Sequence, residues 1–476
     1  MLKGYTKQEI SWMMYDWANS AHSVIIVTLL PIFFDTVAGY TADSVSSMST
    51  WGYATSIAML IVALAAPFLG VFGDIRGMRK KLFSFFMLLG VAACAGMAFT
   101  PGMDFTSGPV AAGKVASLIL VLYIVSVIGF DASAIYYDAF LTDVTIEDRM
   151  DKVSTMGYGL GYIGGSTIPL LIFLIMNLVG VPMLTCLAFV FGLTAVWWLA
   201  FSLPLLKNCE QTSGKPYEKG DVARSIKGVG TTIKEIIANK PMLIYILSYF
   251  FYIDGVHTVI SMATTYGTNL GLDSTGMMLA LLLVQILGLP FCLLYIKCSE
   301  KFGARTMVGF GICVYMFICI FAFFMNSLWQ FWVLAVLCAT SQGGIQALSR
   351  SMYGKLIPDK DRSGEFFGFF DIFGKFSSIM GPALVGVVSS VVANGMLGVQ
   401  GLTRSMRSTP SPAITAFCPS LLSSLWARCC TSAFCPKQST PSSKFDKIFD
   451  SHYNIGVYSV QVHLGNIPLF KVYLKT

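Results

Sequence analysis

The feature that most constrains this chain is a series of eleven apolar runs, each long enough to cross a bilayer. A spanning helix needs about 20 consecutive, predominantly apolar residues. Such runs fall near 12–34, 51–72, 82–100, 114–140, 154–178 and 182–204, then near 241–263, 274–297, 306–325, 329–352 and 365–393. Only 12% of the 476 residues are charged and 55% are hydrophobic, whereas soluble chains carry about 25% charged residues. Most of this chain is therefore solvated by lipid. The expected fold is an all-α membrane bundle of two six-helix halves, with the twelfth span degraded or missing.

Loop charge sets the orientation. The loops after the second, fourth, eighth and tenth runs carry Arg76, Arg79, Lys80 and Lys81; Arg149 and Lys152; Lys301 and Arg305; and Lys355, Lys360 and Arg362. The intervening loops Asp35–Thr50 and Tyr266–Ser274 contain no Lys or Arg. The positive-inside rule then places the N-terminus in the cytoplasm. The same reading assigns the net charge of +7 to membrane topology rather than to nucleic-acid binding. The segment after Lys3 and Lys7 lacks a small-residue cleavage site and reads as a span, not a signal peptide. The expected organisation is an N-terminal half at 1–206, a cytoplasmic connector at 207–240, a C-terminal half at 241–395 and an atypical tail at 396–476.

The first run is polar along one side. At about 100° per residue, Asp16, Asn19, Ser20 and Ser23 share a face, with His22 at its margin. An aspartate at helix-centre depth costs roughly 2.5–3.5 kcal/mol on insertion scales, so this face looks at protein or water. Its sequence is echoed downstream: Asn19-Ser20-Ala21-His22-Ser23-Val24-Ile25 answers Asp254-Gly255-Val256-His257-Thr258-Val259-Ile260. Two further echoes keep the register. Asp74-Ile75-Arg76-Gly77-Met78-Arg79 matches Glu300-Lys301-Phe302-Gly303-Ala304-Arg305, and Glu147-Asp148-Arg149 matches Lys360-Asp361-Arg362. An even number of spans per half makes the repeats parallel, as in transporters.

The segment Gly70-Val71-Phe72-Gly73-Asp74-Ile75-Arg76-Gly77-Met78-Arg79-Lys80 resembles the loop signature of the major facilitator superfamily. Ile75 and Met78 stand where that signature usually has a basic residue. Tyr15-Asp16-Trp17-Ala18-Asn19-Ser20 is similar to the vacuole-effluxer-like branch of the superfamily. So are Gly343-Gly344-Ile345-Gln346-Ala347-Leu348-Ser349-Arg350-Ser351 and Glu365-Phe366-Phe367-Gly368-Phe369-Phe370-Asp371-Ile372-Phe373-Gly374-Lys375. The resemblance covers residues 10–395. It implies a transporter with a cavity lined by the first, fourth, seventh and tenth spans. Eukaryotic members of the branch are associated with amino-acid efflux from vacuoles.

The polar residues fall on those four spans. The expected solute and proton pathway comprises Asp16, Asn19, His22, Asp131, Asp138, Asp254, His257, Gln342 and Gln346. Intramembrane carboxylates and histidines are costly and mark pathways by default, whereas Ser and Thr often only join neighbouring helices. His22 and His257 occupy matched positions and titrate near physiological pH. They read either as proton carriers or as neutral rings bonded to a helix backbone.

A second set is expected to latch one conformer: Asp74, Gly77 and Arg79, their counterparts Glu300, Gly303 and Arg305, and the pair Asp371–Lys375. The resemblance implies that Asp74 meets the start of the eleventh span near Glu365, where a helix N-terminus favours a carboxylate. Asp371 and Lys375, four apart, read as a salt bridge first and a gate second. Gly157, Gly161 and Gly165 form a small-residue ridge that allows close helix packing.

The leading reading is a multi-pass secondary transporter in the cell membrane, or in the vacuolar membrane of a eukaryote. It is expected to move a small solute, amino acids among the candidates, with protons as the coupling ion and as a monomer. No H-E-x-x-H, G-x-S-x-G or P-loop supports a membrane enzyme. A transport-inactive or truncated protein with a sensor or structural role is the alternative. No cofactor or metal is expected, because the twelve Cys are scattered without a metal spacing.

The tail departs from the pattern. Its best candidate for a twelfth span, Ala413–Cys435, is interrupted by Pro419 and Arg428. A frame shift near residues 395–400 is the favoured account and a divergent inserted helix the alternative. The first of these would leave eleven spans and place Thr476 outside.

Overall fold

The protein was analysed as a computed structural model that describes residues 2–41, 47–216, 221–400, 457–464 and 467–475. The N-terminal half comprises α1 (Lys7–Ala38), α2 (Ser47–Gly73), α3 (Met78–Met97), α4 (Pro109–Val144), α5 (Glu147–Leu178) and α6 (Met183–Asn208). After the connector helix α7 (Asp221–Ala238) come α8 (Lys240–Asn269), α9 (Ser274–Phe302), α10 (Ala304–Phe323), α11 (Leu328–Leu356) and α12 (Ser363–Gln400). The eleven expected spans are thus α1–α6 and α8–α12. Ten of these helices are long and apolar enough to cross a membrane, and α12 continues the series.

Local chemistry starts the helices where they start. Thr6 and Glu9 form a reciprocal capping box at the head of α1, satisfying backbone N–H groups that the first turn leaves without partners. Ser327 and Gln330 do the same for α11. Gly77 precedes α3 at φ +81°, a left-handed conformation that glycine adopts at least cost.

Glycine also sets the packing of α5. A Cβ on Gly161 would lie 2.5 Å from Ser20 Oγ, and one on Gly165 would lie 2.5 Å from the Trp17 carbonyl. The ridge therefore seats α5 directly on the polar face of α1. Residues Tyr162–Thr167 form a π-helical turn within α5, and Thr167 Oγ1 donates to the Tyr162 carbonyl at 2.8 Å. Such turns accompany functional sites more often than chance. Aromatic side chains pack beside this contact: Trp197 Nε1 donates to the Trp17 carbonyl at 3.0 Å, and the two indoles stack.

The halves meet most closely between α2 and α12. A Cβ on Gly70 would lie 2.2 Å from the Gly364 carbonyl, and one on Gly368 would lie 2.5 Å from the Ala66 carbonyl. The basic loops gather at this same end of the bundle. Arg76 N donates to the Lys215 carbonyl at 2.9 Å and Lys215 N to the Asp74 carbonyl at 3.0 Å. Gly214 N donates to Asp361 at 2.8 Å, and Lys360 pairs with Glu147 at 3.0 Å. The connector, expected only to be polar and cytoplasmic, proves to be strapped to this end and to contain a helix.

The segment from residue 436 onward forms a separate unit. It carries an antiparallel hairpin of β1 (Val457–Leu464) and β2 (Ile467–Lys475), with an irregularity at Val462/His463. The candidate twelfth run Ala413–Cys435 and the terminal Thr476 lie outside the described residues.

Candidate functional site

Two cations, one buried and one half-buried, cross from the C-terminal half into the N-terminal half. The first is Arg350 on α11, 3% exposed. Its guanidinium donates to Asp16 of α1 at 3.2 Å, to Asp138 of α4 at 3.1 Å and to the Ser154 hydroxyl of α5 at 2.9 Å. Three rings surround it, with centroids 4.7 Å (Trp12), 5.3 Å (Tyr137) and 4.6 Å (Tyr158) from Cζ. Trp12 is locked in turn: its Nε1 donates to the Tyr137 carbonyl at 2.8 Å, and the two rings stack at 4.4 Å.

The second is Lys375 on α12. It donates to Asp131 of α4, and Asp371 lies 3.8 Å away on its own helix. The expected Asp371–Lys375 bridge is therefore the longer of two contacts. The nearer one joins the halves. Asp131 is 2% exposed, and its Oδ2 has no hydrogen-bond partner among the described residues.

The remaining expected pathway residues divide. Asn19 is buried beside Asp16 on α1, and Gln342 and Gln346 continue one face of α11 away from Arg350, with Gln342 reaching an apolar cavity of about 100 Å³ within the C-terminal half. Asp254 is buried in that half against α12, where a Cβ on Gly381 would lie 2.7 Å from its Oδ1. His257 bonds α12 as well, through Ser378 at 2.8 Å and Ser377 at 3.2 Å. His22 is not brought to the interface. It sits in the core of the N-terminal half, 3.2 Å from Ser126, stacked on Phe130 and tilted against Trp198.

The expected latch splits in the same way. Asp74 accepts the main-chain N–H groups of Gly364 at 2.7 Å and Glu365 at 2.8 Å, at the N-terminus of α12. Arg79, fully buried, donates to Asp74 at 2.9 Å, to the Ser363 hydroxyl at 2.9 Å and to the Ala139 carbonyl at 3.2 Å. Burial raises the Asp74 carboxyl to about 7, with Arg79 and the two N–H groups acting in the opposite direction. The counterpart loop is different. Glu300 lies on the surface, 3.8 Å from Lys152, and Gly303 holds φ +84° just before α10, whose first turn contains Arg305.

Arg350 lies near one end of its span and is not among the expected pathway residues. A signal was present, since Gln342, Gln346 and Arg350 recur every four residues and so share a face. Trp12, Tyr137, Tyr158 and Ser154 carried none, because apolar and small residues fill every span.

Solved structures share this architecture. The chain superposes on the proton:xylose symporter XylE of the major facilitator superfamily, bound to 6-bromo-6-deoxy-D-glucose, with a TM-score of 0.67 at 15% identity, covering 90% of this chain and 95% of that one. A bacterial homologue of the iron transporter ferroportin, outward-facing with soaked iron, gives a TM-score of 0.61 at 15% identity, with 91% and 99% covered. The fold is that of a major facilitator transporter, a multi-pass membrane protein.

Sequence narrows the assignment. An MFS-type transporter of Bacillus subtilis, YxiO, is 42% identical over 410 residues, 84% of this chain and 93% of that protein. Autophagy-related protein 22-1 of Penicillium rubens is 25% identical over 52% of this chain, which spans about half the length of that fungal relative. The model of the family described as vacuole effluxer Atg22-like matches residues 39–395. The chain belongs to that family.

Proposed function

We propose that this protein moves a small solute across the membrane by alternating access of its two halves, driven by protons. The observation that carries the reading is Arg350, a cation of one half held by Asp16 and Asp138 of the other. Rocking the halves apart at this end must break those pairs. A carboxylate left ionised and unpaired away from water is strongly disfavoured, so each one recruits a proton or a cationic group when Arg350 leaves. Lys375 and Asp131 form a second such pair. Charge exchange at the interface thereby ties a change of shape to ion binding.

The proposed pathway comprises Asp16, Asn19, Asp131, Asp138, Asp254, His257, Gln342 and Gln346, with Arg350 added and His22 behind the cavity wall. Asp74, Gly77 and Arg79 latch the basic end, which faces the cytoplasm together with the N-terminus. Amino acids are the first solute class to test, on the strength of the family resemblance. The proposed setting for a monomer of this chain is the cell membrane, or the vacuolar membrane in a eukaryote.

Purified protein in proteoliposomes tests this. Flux of radiolabelled amino acids that rises with an imposed pH gradient and collapses with an uncoupler is the expected result. Flux indifferent to the uncoupler removes the proton coupling. Absence of flux for amino acids, sugars and nucleosides alike favours a transport-inactive structural role.

A further inference from the structure

Arg350 occupies a site built wholly by the other half. Trp12 and Asp16 belong to α1, Tyr137 and Asp138 to α4, and Tyr158 to α5. Three aromatic faces and two carboxylates converge on one guanidinium. Aromatic faces attract cations through their quadrupole, most strongly where water is excluded. A fixed structural arginine needs one carboxylate as counter-charge, yet this cage supplies two. The cage is also rigid, because Trp12 is held by the Tyr137 carbonyl and stacked on its ring.

We infer that Trp12, Tyr137, Tyr158, Asp16 and Asp138 form a binding site for an organic cation, a guanidinium or ammonium head group, which Arg350 fills in this conformer and vacates in the other. The inference rests on the alternating-access reading, since α11 moves with the opposite half. In the vacated state the cage presents the buried Asp16 and the half-buried Asp138 between rings. A head group that is flat or small, positively charged and weakly hydrated satisfies both the charge and the faces. Sodium ion, hard and strongly hydrated, satisfies only the charge. The solute or its positively charged end then takes the place that Arg350 gives up.

Removing Arg350 exposes the cage without any transport step, so the test separates this inference from the transport reading. Full-length Arg350→Ala in nanodiscs is titrated with guanidinium, methylammonium and tetramethylammonium chlorides, with sodium chloride as the ionic control. Intrinsic tryptophan fluorescence and calorimetry read the binding. The expected result is saturable binding of one or more of the organic cations, about tenfold or more tighter than to wild type, as one cation–π and charge contact implies. Adding Asp16→Asn or Trp12→Ala to Arg350→Ala should abolish it. Binding equal in wild type and variant, or equal for sodium, overturns the inference.

Arg350→Gln carries the same measurement if the alanine variant is not monodisperse. Recovery of either variant only when guanidinium is present during purification counts as binding. Failure of both variants to fold with or without the cation overturns the inference, because Arg350 is then a fixed part of the scaffold. Normal binding together with absent flux in wild type would leave the cage standing and remove the transport reading instead.

Discussion

The Asp74 carboxylate accepts the main-chain N–H of Glu365 at 2.8 Å, across 291 residues of sequence. One side-chain oxygen of the loop after α2 thus caps the helix that opens the far end of the other half. The neighbouring oxygen takes the Gly364 N–H at 2.7 Å. A helix N-terminus exposes such donors and favours negative charge there.

Asp74→Ala should loosen this end of the bundle. It leaves two N–H groups and part of Arg79 without acceptors, at a cost of about 1–3 kcal/mol for the closed conformer. That corresponds to a shift of roughly tenfold to a hundredfold in the conformer ratio. Ser351 is fully buried at the interface and bonded to Asp151. Maleimide labelling of a Ser351→Cys reporter should therefore speed up in Asp74→Ala and stay slow in the parent. Equal rates would show that Asp74 is not a latch.

The same carboxylate predicts a pH dependence. Its closed-state value is about 7 against an ordinary 3.8, because it is buried. Between those two values the closed form keeps a proton that the opened, hydrated form has lost. Closure is therefore most favoured at low pH, weakens as pH rises through that window, and levels off above 7. Each pH unit inside the window is worth up to about 1.4 kcal/mol. Labelling of Ser351→Cys, divided by the rate of a fully exposed cysteine at the same pH to remove the rise in thiolate, should accelerate from pH 5 to 7, and Asp74→Asn should flatten the normalised profile. A slope that survives in Asp74→Asn assigns the effect to another group.

Lys375→Met should destabilise the protein by about 3–5 kcal/mol, because it strands Asp131 as an uncompensated buried charge. Combining it with Asp131→Leu should recover most of that loss while leaving transport abolished. Thermal unfolding in detergent gives the first quantity and proteoliposome flux the second. Stability that stays low in the double variant would mean that packing around Lys375, not charge, sets the cost.

His22→Phe should leave the pH profile of transport unchanged. The ring is stacked in the core of the N-terminal half, and a phenyl group keeps the contacts with Phe130 and Trp198. Loss of the Ser126 bond should lower stability by about 1 kcal/mol. A shifted profile would return His22 to the proton pathway.

Gly165→Ala tests the packing of α5 on α1. The added methyl would meet the Trp17 carbonyl at 2.5 Å and the Ala21 nitrogen at 2.8 Å, and overpacking of this kind costs about 1–3 kcal/mol. Gly230→Ala on the exposed side of α7 meets nothing within 4 Å and should stabilise slightly, by roughly 0.5–1 kcal/mol. Thermal unfolding of the pair checks the contrast.

The sequence by itself determined the helices, because a spanning run and its polar stripe are local properties. Asp16 had to face protein or water wherever its partner lay, and the Gly157–Gly165 ridge allowed close packing on some helix. The contact between Asp74 and the start of α12 was implied by the family resemblance rather than by the residues alone, and the structure shows it. Partner choice was not legible. Periodicity says which residues share a face, yet it cannot say that Arg350 reaches Asp16, 334 positions away, or that Lys375 prefers Asp131 over its helical neighbour Asp371. It also gave His22 and His257 equal standing, although one is enclosed by aromatic rings and the other bonds α12. Those outcomes depend on how the two halves are set against each other. Burial decides which charge stays solvated and which must find a counter-charge, and burial exists only once the helices have packed.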